Sequence, residues 1–413
     1  MRYLFIVTEK NSANGICVNA VMQSLLRLGH YVDCISNREY GEPYSFQKNG
    51  IQYWGVKPRL VYRISSLLAR TKNKFWVSKL LNIIAYFLNK IQLFLSIPSW
   101  PVISRNYSKR IFTISRRLYD IEPYDYIIPI YTQIDTLIAA RRIKILYPSV
   151  KYIPYLLDSM AGGYGPKIFS RKWVINRGLK WETKLFSISD QIIMMQSSKD
   201  FYDKRKALLG YYKKIVFLDI PLFTPKVNVE TRIKHNDGIK HILYIGSIPA
   251  HIRNPRFFLE VFTSLTRMDV DLTIIGTSTC ETLLKEYCAR DKRIKRISQI
   301  SHDEALKKID EADILLNLGN SINTMIPSKV FEYMSSGKPI ISTAPTKGEP
   351  CIPYLAMYDY ALIIDESNTI ETEVPKLDSF ISNAKAIDPN KLSQKFKLNM
   401  PDTVAETINL LSK

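Results

Sequence analysis

Between Glu42 and Asp120 the chain has no aspartate or glutamate, yet the same interval carries fourteen lysines and arginines, from Lys48 to Arg117. Such a stretch cannot neutralise itself through local ion pairs. The charge excess is local and not spread evenly: over the whole chain 58 basic against 38 acidic side chains leave +20, and this interval holds most of it. The natural partner for it is an anionic surface. A nucleic-acid site would interleave exposed aromatics and basic residues on a defined module, and no such module is visible, so nucleic acid is not expected.

Cysteine and histidine are also scarce. Cys17, Cys34, Cys280, Cys288 and Cys351 form an odd, scattered set without a CxxC pair, which excludes a disulfide framework and a zinc knuckle and fits a reducing cytosol. Five histidines include no HExxH and no cluster, so no protein-built metal site is expected. Long apolar runs are missing too. The opening RYLFIVT meets Glu9 and Lys10 too soon for a secretion signal and reads as a strand. There is no solenoid-period repeat and no GxGxxG.

What is present is alternation. A length of 413 residues predicts two domains. The first part reads RYLFIVT, a helix over AVMQSLLRLGH closed by Gly29, YVDCISN, YDYIIPIY, a helix near TQIDTLIAARRI, the strand KYIPYLLD, and QIIMMQ. Short β-branched runs separated by helical patterns predict a parallel sheet of βαβ units. TPKVNVETRIKHNDGIK (224–240) is polar and aperiodic and reads as a linker. Alternation then resumes with HILYIG, DLTIIG, RIKRIS, DILLNLG, PIIST and YALIID. The expected division is an N-terminal domain over 1–223, the linker, a C-terminal domain over 241–395, and a C-terminal helix in 396–413 packing back on the N-terminal domain.

In such sheets ligands bind where strands end and helices begin. Three loops qualify. In YIGSIPAHIRNP, Gly246 ends a strand and Asn254-Pro255 reads as N-cap and first helical position, which sets Arg253 beside a helix start. That arginine either forks onto a diphosphate or is simply solvated. In NTMIPSKVFEYMSSGKPIIS, Pro327 opens a short helix and Gly337 closes it. Lys329 and Glu332 share a face, either as a surface pair or with the carboxylate gripping the vicinal diol of a ribose. The third loop, DSMAGGYGPK, places Asp158 at a strand end, where it either caps the turn or, by the resemblance given next, orients an acceptor hydroxyl. Gly162, Gly163 and Gly165 fit a lid or plain surface flexibility.

The strings IPSKVFEYMSSGKPII, YIGSIPAHIRNP and FIVTEKNSANGICVNA together resemble the GT-B glycosyltransferases, in particular the retaining family-four group that builds bacterial surface polysaccharides. The resemblance spans residues 3 to about 365. It implies an α/β architecture of two Rossmann-like domains whose parallel sheets face across a cleft, with a nucleotide sugar on the C-terminal domain and the acceptor mainly on the N-terminal one. Glu332 matches the ribose-binding carboxylate and Arg253 a diphosphate-binding position. Ser328 and Lys329 lie at the junction beneath the diphosphate. Gly15 matches the small residue that lets backbone approach the donor, and Gly246 belongs to the other donor-side loop. No cofactor or metal is implied. Three positions depart from the pattern. Thr324 stands where an acid is common, leaving the sugar ring to backbone amides from Asn323 to Ile326. Ser247 replaces a frequent arginine, and Leu157 replaces a histidine beside Asp158.

The helical stretch Trp76–Ser96 combines a broad apolar face with Lys79, Asn82, Asn89 and Lys90, too polar to cross a bilayer. It reads as an interfacial helix within a basic region, 57–117, that docks on anionic lipid, or else as core of the N-terminal domain. The expected protein is a glycosyltransferase moving a sugar to a lipid-linked saccharide, cytoplasmic and attached peripherally to the inner face of the cytoplasmic membrane. The alternative is a noncatalytic carbohydrate-binding or scaffold protein of the same fold.

Overall fold

In the computed structural model, residues 1–64, 75–162, 169–225, 238–322 and 326–410 are described. The chain divides into two units, Met1–Pro221 with Pro401–Lys413, and Leu222–Met400.

The first unit is built on β1 (Arg2–Val7), β2 (Tyr31–Asn37), β3 (Ser45–Lys48), β4 (Ile51–Val56), β5 (Tyr126–Pro129) and β6 (Lys151–Tyr152), in the order β3-β4-β2-β1-β5-β6. Every pairing is parallel except β3 with β4. Tyr3 to Val7 are all buried, because the central strand has helices on both faces and no reason to alternate. On one face the helix Ala13–Arg27 contributes Val18, Val21, Met22 and Leu25, and the C-terminal helix Pro401–Leu410 adds Val404, Ala405 and Ile408. On the other, Arg105–Ile121 and Ile134–Leu146 supply Tyr107, Ile111, Ala139 and Ile143. Each fully buried aliphatic or aromatic chain contributes about 1.5–3 kcal/mol by leaving water.

KYIPYLLD is not one strand. It breaks at Ile153-Pro154 into β6 and β7 (Tyr155–Leu156), and β7 leaves the first sheet to pair with β8 (Ile192–Met195), itself paired with β9 (Ile215–Leu218). The proline has no N–H for a ladder, so the chain changes partners there. A single bridge, Ile130 to Tyr155, joins the two sheets.

The helix Phe75–Ser96 is not core. Leu80, Ile83, Ile84, Phe87, Ile91 and Phe94 are all exposed, Phe94 at 72%. At 3.6 residues per turn these six fall within a stripe of about 100° of arc. Of the five described residues less open to solvent, Leu81, Ala85, Leu88 and Gln92 lie on the neighbouring side and Leu93 apart from them. No described helix is long and apolar enough to cross a membrane.

The second unit holds β10 (Lys240–Ile245), β11 (Val270–Ile275), β12 (Ile294–Ile297), β13 (Ile314–Asn317), β14 (Ile340–Ala344) and β15 (Ala361–Asp365), wholly parallel, in the order β12-β11-β10-β13-β14-β15. From β10 the chain steps outward to β12, then returns across β10 to start β13. The order therefore reverses between β10 and β13, and the crevice beyond their carboxyl ends is where such sheets take ligands. The first unit reverses likewise between β1 and β5. Both units are Rossmann-like α/β halves.

Candidate functional site

In the second unit the two loops at the reversal are 246–255, after β10, and the turn after β13. They are tied by several contacts: Arg253 Nε donates to Asn320 Oδ1 at 2.6 Å, Ser321 N donates to the Ile252 carbonyl at 2.8 Å and Ser321 Oγ to the His251 carbonyl at 3.3 Å, while Arg253 Nη1 donates to the carbonyl of Ser247 at 3.2 Å. The guanidinium is thus held rather than solvated at a loop tip. Asn320 is held in turn, its N–H donating to Glu349 Oε1 at 3.3 Å, and Glu349 also accepts from Cys351 N at 2.7 Å. Burial raises the Glu349 carboxyl above its usual range, and the backbone donors around it pull it back in part. The turn at Gly246 depends on a second glycine: a Cβ on Gly276, whose φ is +135°, would lie 2.0 Å from the Gly246 carbonyl oxygen. The helix after Arg253 begins at Arg256, one residue later than Asn254-Pro255 predicts, and Asn254 Oδ1 still accepts from Arg256 N at 3.1 Å.

Glu332 lies on the seven-residue helix Lys329–Ser335 between β13 and β14. Phe331 and Met334 bury the opposite face, Phe331 meeting the Tyr354 ring edge-on at 5.0 Å. Tyr333 fixes the helix to the end of β10, its hydroxyl donating to Ile245 O and accepting from Ile245 N, both at 3.2 Å. Gly337, at φ +67°, closes the turn. The Glu332 side chain is 17% exposed, yet its Oε2 is buried without a hydrogen-bond partner among the described residues. Lys329 Nζ stands 3.8 Å away, beyond a hydrogen bond. Burial raises the Tyr333 hydroxyl above the ordinary tyrosine range, with smaller effects from the Ile245 backbone, Tyr244, Glu332 and Arg253. Ser328 is the N-cap residue but makes no side-chain cap. Lys338, in the same string, is structural: it is buried, donating from Nζ to Asp310 O at 2.8 Å and to Ala312 O.

In the first unit, a Cβ on Gly15 would sit 2.3 Å from Glu9 O and 2.4 Å from Lys10 O. The glycine therefore lets the loop after β1 close on its own helix, which Ser12 caps through Gly15 N. Asp158 is exposed and accepts from Asn14 Nδ2 at 3.3 Å. Leu157 packs against the hydrophobic core. The loop behind Asp158 hangs on Glu182, a fully buried carboxylate that accepts from Ala161 N at 2.8 Å, Tyr202 Oη at 2.8 Å and Tyr211 Oη at 2.6 Å.

Burial pushes the Glu182 carboxyl up to about 7 despite these donors. From its ordinary 4.5 up to about 7 the unfolded chain ionises this group while the folded chain keeps the proton. Folding then binds a proton, and stability falls as pH rises through that window. Glu182→Gln is expected to flatten this slope, the wild type losing on the order of 3 kcal/mol relative to the variant by pH 8. Thermal melts of both proteins from pH 5 to 8 measure it, and parallel curves would assign the titration to another group.

Asn323, Thr324, Gly163, Gly165 and most of the linker lie outside the described residues. Among the described residues no three His, Cys, Asp or Glu side chains are grouped to hold a metal ion. Asn320 and Glu349 escaped the sequence reading. The rule that singled out Arg253 would have found them, since both follow strands at the sheet's carboxyl edge.

Residues 239–354 match the family model described as Glycosyl transferases group 1. No curated protein sequence matches the chain. Among solved structures, it is similar to WaaG, a glycosyltransferase involved in lipopolysaccharide biosynthesis, at 14% identity and a TM-score of 0.56 over 98% of this chain and 99% of that one. It is also similar to the lipopolysaccharide outer core galactosyltransferase WaaB, at 13% identity and 0.52 over 100% and 99%. An α,α-trehalose-phosphate synthase (UDP-forming) from Burkholderia xenovorans matches at 9% identity and 0.61, covering all of both chains. At these identities the likeness establishes the fold, that of GT-B glycosyltransferases, and the family match is confined to the segment 239–354.

Proposed function

We propose that this protein transfers a sugar from a nucleotide-sugar donor to a lipid-linked saccharide with retained anomeric configuration, in the assembly of a capsule, O-antigen or exopolysaccharide. The observation that carries the reading is the Glu332 carboxylate, whose buried Oε2 has no hydrogen-bond partner among the described residues, on a helix that Tyr333 pins to β10. A buried carboxylate oxygen without a donor costs free energy unless something supplies one. A ribose diol supplies two. Arg253 and Lys329 then place positive charge where the diphosphate gathers negative charge as it leaves. Asp158, exposed on its loop, orients the acceptor hydroxyl; front-side departure of the diphosphate needs no strong base there.

Incubation with UDP-, GDP- and ADP-sugars tests the donor. One nucleotide class is expected to stabilise the fold thermally and to be hydrolysed slowly without acceptor. Silence across the panel would favour a noncatalytic scaffold.

The lipid half rests on the helix Phe75–Ser96, whose apolar stripe lies open beside Lys79 and Lys90. Each cation near an anionic leaflet adds about 1 kcal/mol, and the stripe adds insertion. Co-sedimentation with vesicles containing phosphatidylglycerol should exceed that with neutral vesicles at least tenfold and weaken with salt. Phe87→Glu with Phe94→Glu should remove most of it. Binding to random RNA that exceeds binding to vesicles would reassign the charge. On this reading the protein works at the inner face of the cytoplasmic membrane.

A further inference from the structure

The contacts that orient Arg253 end on uncharged atoms, Asn320 Oδ1 at 2.6 Å and the Ser247 carbonyl at 3.2 Å. A carboxylate in the place of Asn320 would hold the guanidinium as firmly, but it would also cancel much of the charge the arginine can offer to an anion. An amide fixes the direction and leaves the charge alone.

The amide is itself held from behind. Asn320 is buried just beyond β13, in a turn pressed onto the loop after β14. A Cβ on Gly319 would lie 2.1 Å from the Thr343 carbonyl oxygen and 3.0 Å from Glu349 Cγ, so the approach depends on glycine. Gly319 N donates to Thr343 Oγ1 at 3.0 Å, and Asn320 N donates to Glu349 Oε1 at 3.3 Å. The other oxygen of Glu349 accepts from Cys351 N at 2.7 Å. Glu349 is 2% exposed and sits too deep to meet a ligand itself. Burying a carboxylate is costly, and capping the helix Ile352–Met357 would need only the bond to Cys351 N, which an aspartate two residues before it supplies. The longer side chain spends its second oxygen on Asn320, and through it on the direction of Arg253.

We propose that Asn320 and Glu349 are positioning residues for the donor diphosphate: Asn320 aims the Arg253 guanidinium without neutralising it, and Glu349 fixes Asn320. The proposal rests on the reading of Arg253 as the residue that meets the diphosphate. Neither partner touches the nucleotide, so both act through the arginine alone.

Calorimetric titration of the full chain with UDP, GDP and ADP selects the tightest of the three as probe. Asn320→Ala should weaken it about three- to tenfold, the range of one lost hydrogen bond. Asn320→Asp, which pairs with Arg253 directly, should weaken it at least as much. Glu349→Asp keeps the charge and the bond to Cys351 N but is too short for Asn320. It should weaken the probe about threefold with little change in melting temperature. In hydrolysis of the matching sugar nucleotide each variant should raise KM more than it lowers kcat. Against an Arg253→Ala background all three effects should vanish, because no guanidinium is left to aim. Melting temperatures confirm that each variant folds. The proposal alone fails if Arg253→Ala weakens the probe while Asn320→Asp binds it as well as wild type, or while the Asn320 and Glu349 variants act equally in both backgrounds. No binding of any of the three nucleotides, or binding that Arg253→Ala leaves unchanged, overturns the donor reading and the proposal with it.

Discussion

Glu332→Ala is expected to lower kcat/KM for the sugar nucleotide by about 100- to 1,000-fold while leaving the melting temperature within a few degrees of wild type. The kinetic estimate follows from losing a charge-assisted pair of hydrogen bonds, about 3–4 kcal/mol. The stability estimate follows from the structure. Oε2 has no hydrogen-bond partner to orphan, and Lys329, the cation 3.8 Å away, has a side chain 35% exposed and can turn to water. Tyr333, which anchors the helix, bonds to Ile245 and not to Glu332. Glu332→Gln keeps one acceptor and should fall between the two. Steady-state kinetics with the donor identified by the panel, together with a thermal melt, measure both effects. Turnover within threefold of wild type would take the ribose off this carboxylate.

The elements of this site could be read in the sequence because each is locally encoded. Pro327 and Gly337 bracket a helix that does run from Lys329 to Ser335, and the strand ending at Gly246 is β10. What could not be read is what holds them. The Arg253 to Asn320 bond spans 67 positions and the Tyr333 to Ile245 bonds span 88. No periodicity announces contacts that only the sheet order creates. KYIPYLLD failed for a related reason: its β-branched and aromatic content promises one strand, and a single proline sends its two ends to different sheets. The β3–β4 pair escaped because Ser45–Lys48 is a short polar edge strand with little apolar pattern. Gly15 was legible as a residue that must be small, but its nearest constraint is the Glu9 and Lys10 carbonyls of its own loop. The exposed stripe on Phe75–Ser96 has the periodicity of a core helix. Only the fold shows that the richer apolar side, Leu80, Ile83, Ile84, Phe87, Ile91 and Phe94, stands open to solvent.

Arg253→Ala should raise the donor KM about 30- to 100-fold, the equivalent of roughly 2–3 kcal/mol for a hydrogen-bonded charge. The guanidinium spends Nε on Asn320 and Nη1 on Ser247, so its plane is fixed before any ligand arrives, and on the proposed reading a diphosphate would need little further ordering of it. Preorganisation of this kind favours the charge that develops on the leaving group, so kcat should fall as well, though by less than KM rises. Arg253→Lys discriminates between charge and geometry. An ammonium restores the positive charge but lacks the planar fork that holds Asn320 and a phosphate oxygen at once, and it should recover less than a third of the lost donor affinity on a logarithmic scale. Full rescue by lysine would mean that Arg253 supplies only local potential. A donor affinity unchanged in the alanine variant would place the diphosphate away from this loop altogether, leaving the bond to Asn320 as a purely structural tie between the two loops.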